Sequence, residues 1–188
     1  MLEITGGTLK GRKVITTPRA ITRYTPNMVR KALFDIIDIE GKSLLDVCSG
    51  SGVISFEAVS RGASDVVSID SSYKSIKTIK ENIKNLDIKT KIKIYSKDFR
   101  IQIPQLEKKE IKFDFVFFDP PFNKGYMEHI FKTLKKSNVF KCEGLLIIES
   151  SVVESRGIEN LLSDSFKIIN TKKYGNVFLT FLKINTIK

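Results

Sequence analysis

The fold of this chain is decided by the stretch Ser43-Leu44-Leu45-Asp46-Val47-Cys48-Ser49-Gly50-Ser51-Gly52. Its apolar start predicts a short buried strand. Its two glycines predict a tight turn, because without a Cβ they adopt unusual backbone angles and let a ligand come close. The apolar residues that follow predict a helix ending near Gly62. Strand, glycine turn and helix together indicate a nucleotide-type binding site at the start of the helix.

Two acidic residues at the ends of predicted strands limit which ligands could bind. Asp46 lies four residues before Gly50 and suits a ligand that carries a cationic ammonium group and no pyrophosphate, such as S-adenosylmethionine. Asp70 ends the next predicted strand, twenty residues after Gly50, where a partner for ribose hydroxyls is expected. The alternative is that the glycine stretch forms an ordinary tight turn between a strand and a helix and binds no ligand. The loop alone indicates an adenosine cofactor and leaves the choice between a dehydrogenase and a methyltransferase open.

Predicted strands alternate with predicted helices, which indicates an α/β fold with a doubly wound, mostly parallel sheet. Two strands at the end of the chain, 166–172 and 177–184, read as a hairpin and therefore predict one antiparallel strand. Residues 1–17 predict a basic β-hairpin ahead of a helix that has Thr25 as its N-cap and Pro26 at its first position. We expect two domains, a hairpin extension at 1–24 and the α/β domain at 25–188.

The net charge of +11 is unevenly distributed. Residues 1–34 carry seven Lys or Arg against one acid, and residues 74–112 carry twelve against five, whereas the segments 35–73 and 113–188 come closer to balance or are acidic. Two basic blocks around an acidic middle are expected of a polyanion binder with a separate small-molecule site. For the second block, a merely solvated lysine-rich surface is the alternative.

Composition also excludes several classes. No apolar run reaches the roughly 18 residues of a membrane span, and the N-terminus lacks the pattern of a signal peptide. We therefore expect a cytoplasmic protein that does not associate with membranes. Cys48 and Cys142 lie far apart in unlike contexts, so we expect two reduced core residues and no metal site.

A second motif, Asp119-Pro120-Pro121-Phe122, follows the predicted strand 113–118. An exocyclic amine on a base is a poor nucleophile, and its methylation depends on acceptors that orient the nitrogen toward the methyl group. The carboxylate of Asp119 and the carbonyl of Pro120 are such acceptors, the two prolines stiffen the loop, and Phe122 offers a face for an extruded base. Pro-Pro that merely ends a strand is the alternative.

Together, the two motifs resemble those of class I amino-methyltransferases, which act on planar nitrogens of nucleic acids or of glutamine. Three further stretches are similar to the RsmD family, which methylates guanine N2 in 16S ribosomal RNA of the small subunit: I-T-G-G-T-L-K-G-R-K-V-I-T-T-P, T-R-Y-T-P-N-M-V-R-K-A-L-F-D-I-I and S-R-G-A. The resemblance covers nearly the whole chain. It implies a Rossmann-like class I methyltransferase fold with a seven-stranded, mostly parallel sheet.

The resemblance also implies a role for each candidate residue. The methionine end of S-adenosyl-L-methionine would be held by Asp46, Ser49, Gly50 and Gly52, its ribose by Asp70, its adenine by Asp98 and Phe99, and its carboxylate by Arg23 or Thr25. The target guanine would be held by Asp119, Pro120, Pro121 and Phe122, and the hairpin would bind the RNA.

The chain departs from the family pattern at Tyr24, Asn27-Met28 and Lys31, where the family usually has Pro, Asp-Arg and Glu. We expect a monomer whose partner is 16S ribosomal RNA or the small ribosomal subunit.

Other functions remain open at this point. An N6-adenine DNA methyltransferase shares the loop, and a protein-glutamine methyltransferase is disfavoured by the positive charge. The alternative of an NAD-dependent oxidoreductase is disfavoured because the Asp-Pro-Pro-Phe motif would have no role in such an enzyme. A non-catalytic RNA-binding module is a further alternative.

Overall fold

A computed structural model describes residues 1–17, 24–88, 91–122, 124–162 and 165–185. The strands are β1 Leu2–Glu3, β2 Lys13–Val14, β3 Ser43–Val47, β4 Asp65–Asp70, β5 Ile92–Ser96, β6 Phe113–Phe118, β7 Phe140–Ser151, β8 Phe166–Tyr174 and β9 Val177–Ile184. The helices are α1 Asn27–Ile36, α2 Val53–Ser60, α3 Tyr73–Leu86, α4 Phe99–Glu107, α5 Tyr126–Lys135 and α6 Val152–Leu161.

Within the described residues, the larger sheet has seven strands in the order β5-β4-β3-β6-β7-β9-β8. β3 pairs in parallel with β4, β4 with β5, and β6 with β7. β9 runs antiparallel to both of its neighbours, β7 and β8. The predicted α/β class, the parallel sheet and the antiparallel strand are therefore confirmed. The chain divides into two compact units, Met1–Phe99 and Arg100–Lys188, which are described separately below.

The first unit is built around β3, in which all five residues are buried. A strand covered on both faces by helices reads as a continuous apolar run, as this one does. α3 packs through one apolar face, on which Ile76, Ile79, Ile83 and Leu86 are all buried.

α1 begins one residue later than predicted. Pro26 is the N-cap, and no side chain caps the helix. Thr25 is not the cap that the sequence predicted; it lies one residue earlier and is buried. Within the helix, Ile36 is 42% exposed, whereas Arg30 is fully buried. The physical reason is that Arg30 has polar partners inside the unit, which are described below.

The N-terminal hairpin consists of β1 and β2, with Leu2 opposite Val14. It packs against the end of α2, where the Thr8 and Leu9 amides donate to the carbonyl and hydroxyl oxygens of Ser60 at 2.7 and 2.8 Å. A Cβ on Gly7 would lie 1.9 Å from the Ser60 carbonyl oxygen, so only glycine permits this approach. A two-stranded ribbon is marginal alone, and docking on α2 stabilises this one.

The second unit contains β6, β7, β9 and β8 with the helices α4, α5 and α6. β6 and β9 have the bounds that the sequence predicted. β7 is the longest strand of the second unit among the described residues, with twelve residues from Phe140. α4 and α6 were not predicted. Cys142 is exposed and Cys48 is partly exposed, so the expectation that both are core residues was wrong. Both cysteines are free.

Candidate functional site

The glycine loop joins β3 to α2 in the first unit. Cys48, Gly50 and Gly52 adopt left-handed backbone angles, with φ of 63°, 56° and 79°. The Ser49 amide and hydroxyl both donate to the Ile69 carbonyl oxygen, at 3.1 and 3.2 Å, which ties the loop to β4. A Cβ on Gly52 would lie 3.0 Å from Ile79 Cγ1. The backbone angle therefore favours glycine at position 52, and a side chain there would also require the Ile79 side chain to shift.

Asp70 connects this loop to the start of α3. Its Oδ2 accepts the Gly50 amide at 2.8 Å, and its Oδ1 accepts the Ser72 amide at 2.8 Å. Burial raises the pKa of Asp70, while the hydrogen bonds from Ser72, Gly50 and Ser75 lower it. The carboxyl group is only partly buried, and because a carboxylate offers about four lone-pair sites, it retains acceptor capacity for about one further donor.

Asp46 points into the first unit and is 1% exposed. Its Oδ2 accepts the Ser55 hydroxyl at 2.7 Å and the Ser55 amide at 3.2 Å, and the Ser55 hydroxyl also lies 2.7 Å from that of Ser68. Burial raises the pKa of Asp46 to about 7; the hydrogen bonds from Ser55 lower it and the charge of Asp70 raises it. A cation placed nearby would favour the charged form.

The raised pKa of Asp46 predicts a pH-dependent stability. Between the ordinary value of 3.8 and about 7, the folded state retains a proton that the unfolded state has lost, so stability falls as pH rises. Asp46→Asn has no such proton. We expect the free energy of unfolding of Asp46→Asn, relative to the wild type, to rise across this window by up to about 1.4 kcal/mol per pH unit.

Urea unfolding at a series of pH values, without added cofactor, measures this difference. Asp65→Asn, at an exposed position on β4, is the matched control for the change in overall charge. A difference between Asp46→Asn and the wild type that stays constant with pH would show that Asp46 is charged throughout.

The other predicted cofactor residues are placed less directly. Asp98 is partly exposed just before α4, whereas Phe99, the first residue of α4, is 4% exposed. Thr25 is 3% exposed. Arg23 lies outside the described residues. The adenine and carboxylate contacts of these residues remain predictions.

Asn82 on α3 was not recognised from the sequence. It is fully buried, and its side-chain amide pairs with both backbone groups of Ile15, accepting the amide at 2.8 Å and donating to the carbonyl at 2.9 Å. The same Nδ2 donates to the Ser51 carbonyl oxygen at 3.4 Å. Asn82 thus connects the exit of the hairpin to the glycine loop.

The loop also contains a buried hydroxyl group. Ser51 is 1% exposed, and its Oγ has no hydrogen-bond partner within the described part of the chain. A buried hydroxyl group without a hydrogen-bond partner is rare.

The groups around the glycine loop fit an adenosine cofactor that carries a cationic amine. They are the left-handed glycines, two neighbouring carboxyl groups of raised pKa and the unpaired hydroxyl of Ser51.

Arg30 and Glu57 form a second polar cluster that the sequence did not reveal. Both side chains are fully buried, with 3.4 Å between Nε and Oε1. Arg30 also donates to the Thr25 carbonyl at 2.7 Å and the Glu3 carbonyl at 2.6 Å. Glu57 Oε1 accepts the Thr5 amide at 2.7 Å. The pair therefore joins the hairpin, α1 and α2.

In the second unit, Asp119-Pro120-Pro121-Phe122 begins directly after β6. Asp119 and Phe122 are partly exposed, Pro120 is buried and Pro121 is exposed. The loop therefore starts at the carboxyl end of a parallel strand, where ligands of α/β proteins bind. Its role toward a base remains a prediction.

Glu149 is a further candidate that the sequence did not single out. Phe118 pairs with Ile148 in the parallel register of β6 and β7, so Asp119, directly after β6, and Glu149, on β7, are the next residues along the chain. The side chain of Glu149 is fully buried. A buried carboxyl group rarely serves packing alone.

The fold is that of the Rossmann-like class I methyltransferases. The solved structure of the Escherichia coli protein YhhF matches with a TM-score of 0.82 and 24% identity, covering 98% of each chain. A more distant structure, solved in complex with SAH, matches with a TM-score of 0.69 and 15% identity, covering 84% of this chain and 48% of its own. At these identities the two structures show the fold alone.

The chain belongs to the RsmD family: the family model described as Conserved hypothetical protein 95 matches residues 2–183. The relative named Ribosomal RNA small subunit methyltransferase D from Buchnera aphidicola is 30% identical over 156 residues, which cover 82% of this chain and 80% of the relative. The resemblance stated from the sequence is thereby confirmed. Among the described residues, the helices are too short or too polar to span a membrane.

Proposed function

We propose that this protein transfers a methyl group from S-adenosyl-L-methionine to the exocyclic N2 amine of a guanine in 16S ribosomal RNA of the small ribosomal subunit. The observation that carries the proposal is Asp-Pro-Pro-Phe at the carboxyl end of β6 in a chain of the RsmD family. The named relative supports ribosomal RNA as the substrate. Such a substrate would place the protein in the cytoplasm.

In this proposal the cofactor belongs to the first unit. Bound S-adenosyl-L-methionine supplies an electrophilic methyl group. The acceptor capacity that remains on the Asp70 carboxylate is used by the ribose hydroxyls, while Gly50 and Ser72 keep the carboxylate in place through their amides. Asp46 stabilises the ammonium group, and that cation in turn favours the charged form of a carboxyl group whose pKa is about 7.

The second unit contributes the acceptors for the base. The Asp119 carboxylate and the Pro120 carbonyl accept the two N–H groups of guanine N2, which turns the nitrogen lone pair toward the methyl group. The hydrogen bond to Asp119 also gives the proton released on methylation an acceptor. Phe122 stacks on the extruded base. Two consecutive prolines fix φ and limit the motion of these acceptors.

The test is transfer of labelled methyl from S-adenosyl-L-methionine to 16S ribosomal RNA or small subunits from cells that lack this protein, followed by nucleoside analysis. Label in N2-methylguanine supports the proposal. Label in adenine, in DNA or in protein glutamine would overturn the substrate and leave a methyltransferase. Cofactor binding with no labelled product from either RNA or subunits would favour a non-catalytic RNA-binding module.

A further inference from the structure

An exposed line of side chains runs along α3 on the face opposite its buried residues. Tyr73 is 77% exposed, and Lys77, Lys80 and Lys84 are exposed as well. Spacings of four, three and four residues place the four side chains on one side of a helix. We call Tyr73, Lys77, Lys80 and Lys84 the α3 stripe. It extends over about 16 Å, from the 1.5 Å rise per residue.

The two ends of the α3 stripe lie beside features already described. Tyr73 begins α3 directly after Ser72, whose amide donates to Asp70 at 2.8 Å. At the other end, Arg12 of the hairpin donates from Nη2 to the Asn85 carbonyl at 2.8 Å. The α3 stripe therefore runs from the proposed ribose contact to the hairpin, within the first unit.

The hairpin continues the positive charge of the α3 stripe. Lys10, Arg12 and Lys13 are all exposed. The bond to Asn85 uses one of the five N–H donors of the Arg12 guanidinium, so the others can reach a phosphate. The resulting surface carries cations along its whole length, with an aromatic ring at the end nearest Asp70.

The lysines of the α3 stripe are not explained by intramolecular pairing. Lys77, Lys80 and Lys84 form no ion pair with any described residue, although Glu81 lies on the same helix. Like charges three and four residues apart destabilise a helix. A lysine row that opposes helix formation is balanced when an external polyanion binds it.

We propose that the α3 stripe binds the phosphate backbone of the RNA substrate, with one base stacked on Tyr73, and directs the strand between the hairpin and the cofactor site. This inference rests on the proposed function for the identity of the partner. A length of about 16 Å matches about five nucleotides at the 3.4 Å spacing of a stacked strand. Lysine and an aromatic ring on one track are the combination that single-stranded RNA recognition uses.

The test compares two triple variants of the full chain that lose the same charge. Lys77→Gln/Lys80→Gln/Lys84→Gln removes the stripe, and Lys132→Gln/Lys135→Gln/Lys136→Gln removes three exposed lysines at the end of α5. The dissociation constant for an unmodified 16S ribosomal RNA transcript is measured across salt concentrations. We expect the stripe variant to bind about 10- to 1000-fold more weakly at low salt, with a salt slope lower by about 2 to 3.

Tyr73 is tested by a substitution pair. Tyr73→Ala should weaken RNA binding by about tenfold, whereas Tyr73→Phe retains the stacking face and should bind as the wild type does. Circular dichroism and the dissociation constant for S-adenosyl-L-methionine verify that every variant is folded.

The outcomes separate this inference from the proposed function. Two results would show that the α3 stripe does not bind the RNA even if the wild type produces N2-methylguanine. In the first, the stripe variant keeps the wild-type salt slope; in the second, the α5 variant loses as much affinity as the stripe variant. If RNA binding depends on the stripe and no guanine is methylated, the inference stands and the proposed reaction is wrong.

Discussion

Asp119→Ala is expected to lower the rate of methyl transfer by about 10²- to 10⁴-fold, the range associated with a positioned group that handles a proton in the transition state. Without the carboxylate, guanine N2 loses the acceptor that orients its lone pair and receives its proton. Asp119→Asn keeps one carbonyl oxygen in place and should retain more activity than Asp119→Ala. Initial rates of labelled methyl transfer at saturating cofactor measure both variants.

The same strand provides the control for Asp119. Asp114 lies on β6 and forms an ion pair with Lys141 at 2.8 Å, with the two side chains 18% and 45% exposed. Asp114→Ala removes a carboxylate from the same strand, and an exposed pair of this kind contributes about 1 kcal/mol or less. Asp114→Ala should therefore methylate at close to the wild-type rate. Asp119→Ala activity within a few-fold of Asp114→Ala would remove Asp119 from the chemistry.

Cofactor affinity separates the role of Asp119 from that of the glycine loop. The proposed cofactor contacts belong to the first unit, so Asp119→Ala should bind S-adenosyl-L-methionine as tightly as the wild type. Weaker binding by this variant would indicate a disturbed fold. Calorimetric titration of the cofactor makes the comparison.

The parts of the fold that the sequence predicted correctly are those encoded by short-range patterns. The β6 strand 113–118 was recognised because a compact apolar run ends at an Asp-Pro step. The turn after β3 was recognised because Gly50 and Gly52 carry information about backbone angles. Asp70 could be predicted at the end of β4 because, in a βαβ unit, the number of residues between the glycine loop and the end of the second strand is nearly fixed.

The helices that were not predicted from the sequence have weaker or conflicting local signals. α4 contains Pro104, which normally interrupts a helix. α6 contains Gly157, which lowers helix propensity. Its capping box, Ser151 with Glu154, was a usable signal that only becomes decisive when the end of β7 is known.

The polar contacts inside the first unit could not be predicted because they join residues far apart in the sequence. Asn82 bonds to Ile15 across 67 positions, and Arg30 bonds to Glu57 across 27. A lone Asn or Arg on a helix is usually an exposed residue. Only the fold shows that both are buried and that the hairpin depends on them.

The buried Arg30–Glu57 pair carries the largest expected effect on stability. Removing one member of a buried pair costs about 3–5 kcal/mol when the other charge is left without a partner. Glu57 keeps one further partner, because Arg61 Nε lies 3.4 Å from its Oε2 and the Arg61 side chain is 18% exposed, which places the cost of losing Arg30 toward the lower end of this range. We expect Arg30→Met to lower the free energy of unfolding by this amount and the melting temperature by about 10 °C, at roughly 2–4 °C per kcal/mol for a chain of this size. Glu57→Gln should cost less, because its amide oxygen still accepts the Thr5 amide.

The double variant Arg30→Met/Glu57→Leu tests whether the cost comes from the uncompensated charge. With both charges removed, the loss should be smaller than the sum of the two single losses. Lys141→Met breaks the exposed pair with Asp114 and should change the free energy of unfolding by about 1 kcal/mol or less. Strict additivity in the double variant would contradict this account.

The hairpin gives the Arg30 prediction a local readout. Arg30 donates to the Glu3 carbonyl at 2.6 Å, and Glu57 accepts the Thr5 amide at 2.7 Å. The pair therefore binds the hairpin backbone at the last residue of β1 and again two residues later. In Arg30→Met the Thr5 amide should exchange with solvent faster than in Lys141→Met, beyond the effect of global destabilisation. If both variants protect Thr5 equally once compared at matched stability, the pair stabilises the helices alone. Faster exchange confined to residues of the hairpin would show that the buried charges hold this RNA-binding candidate on the methyltransferase fold.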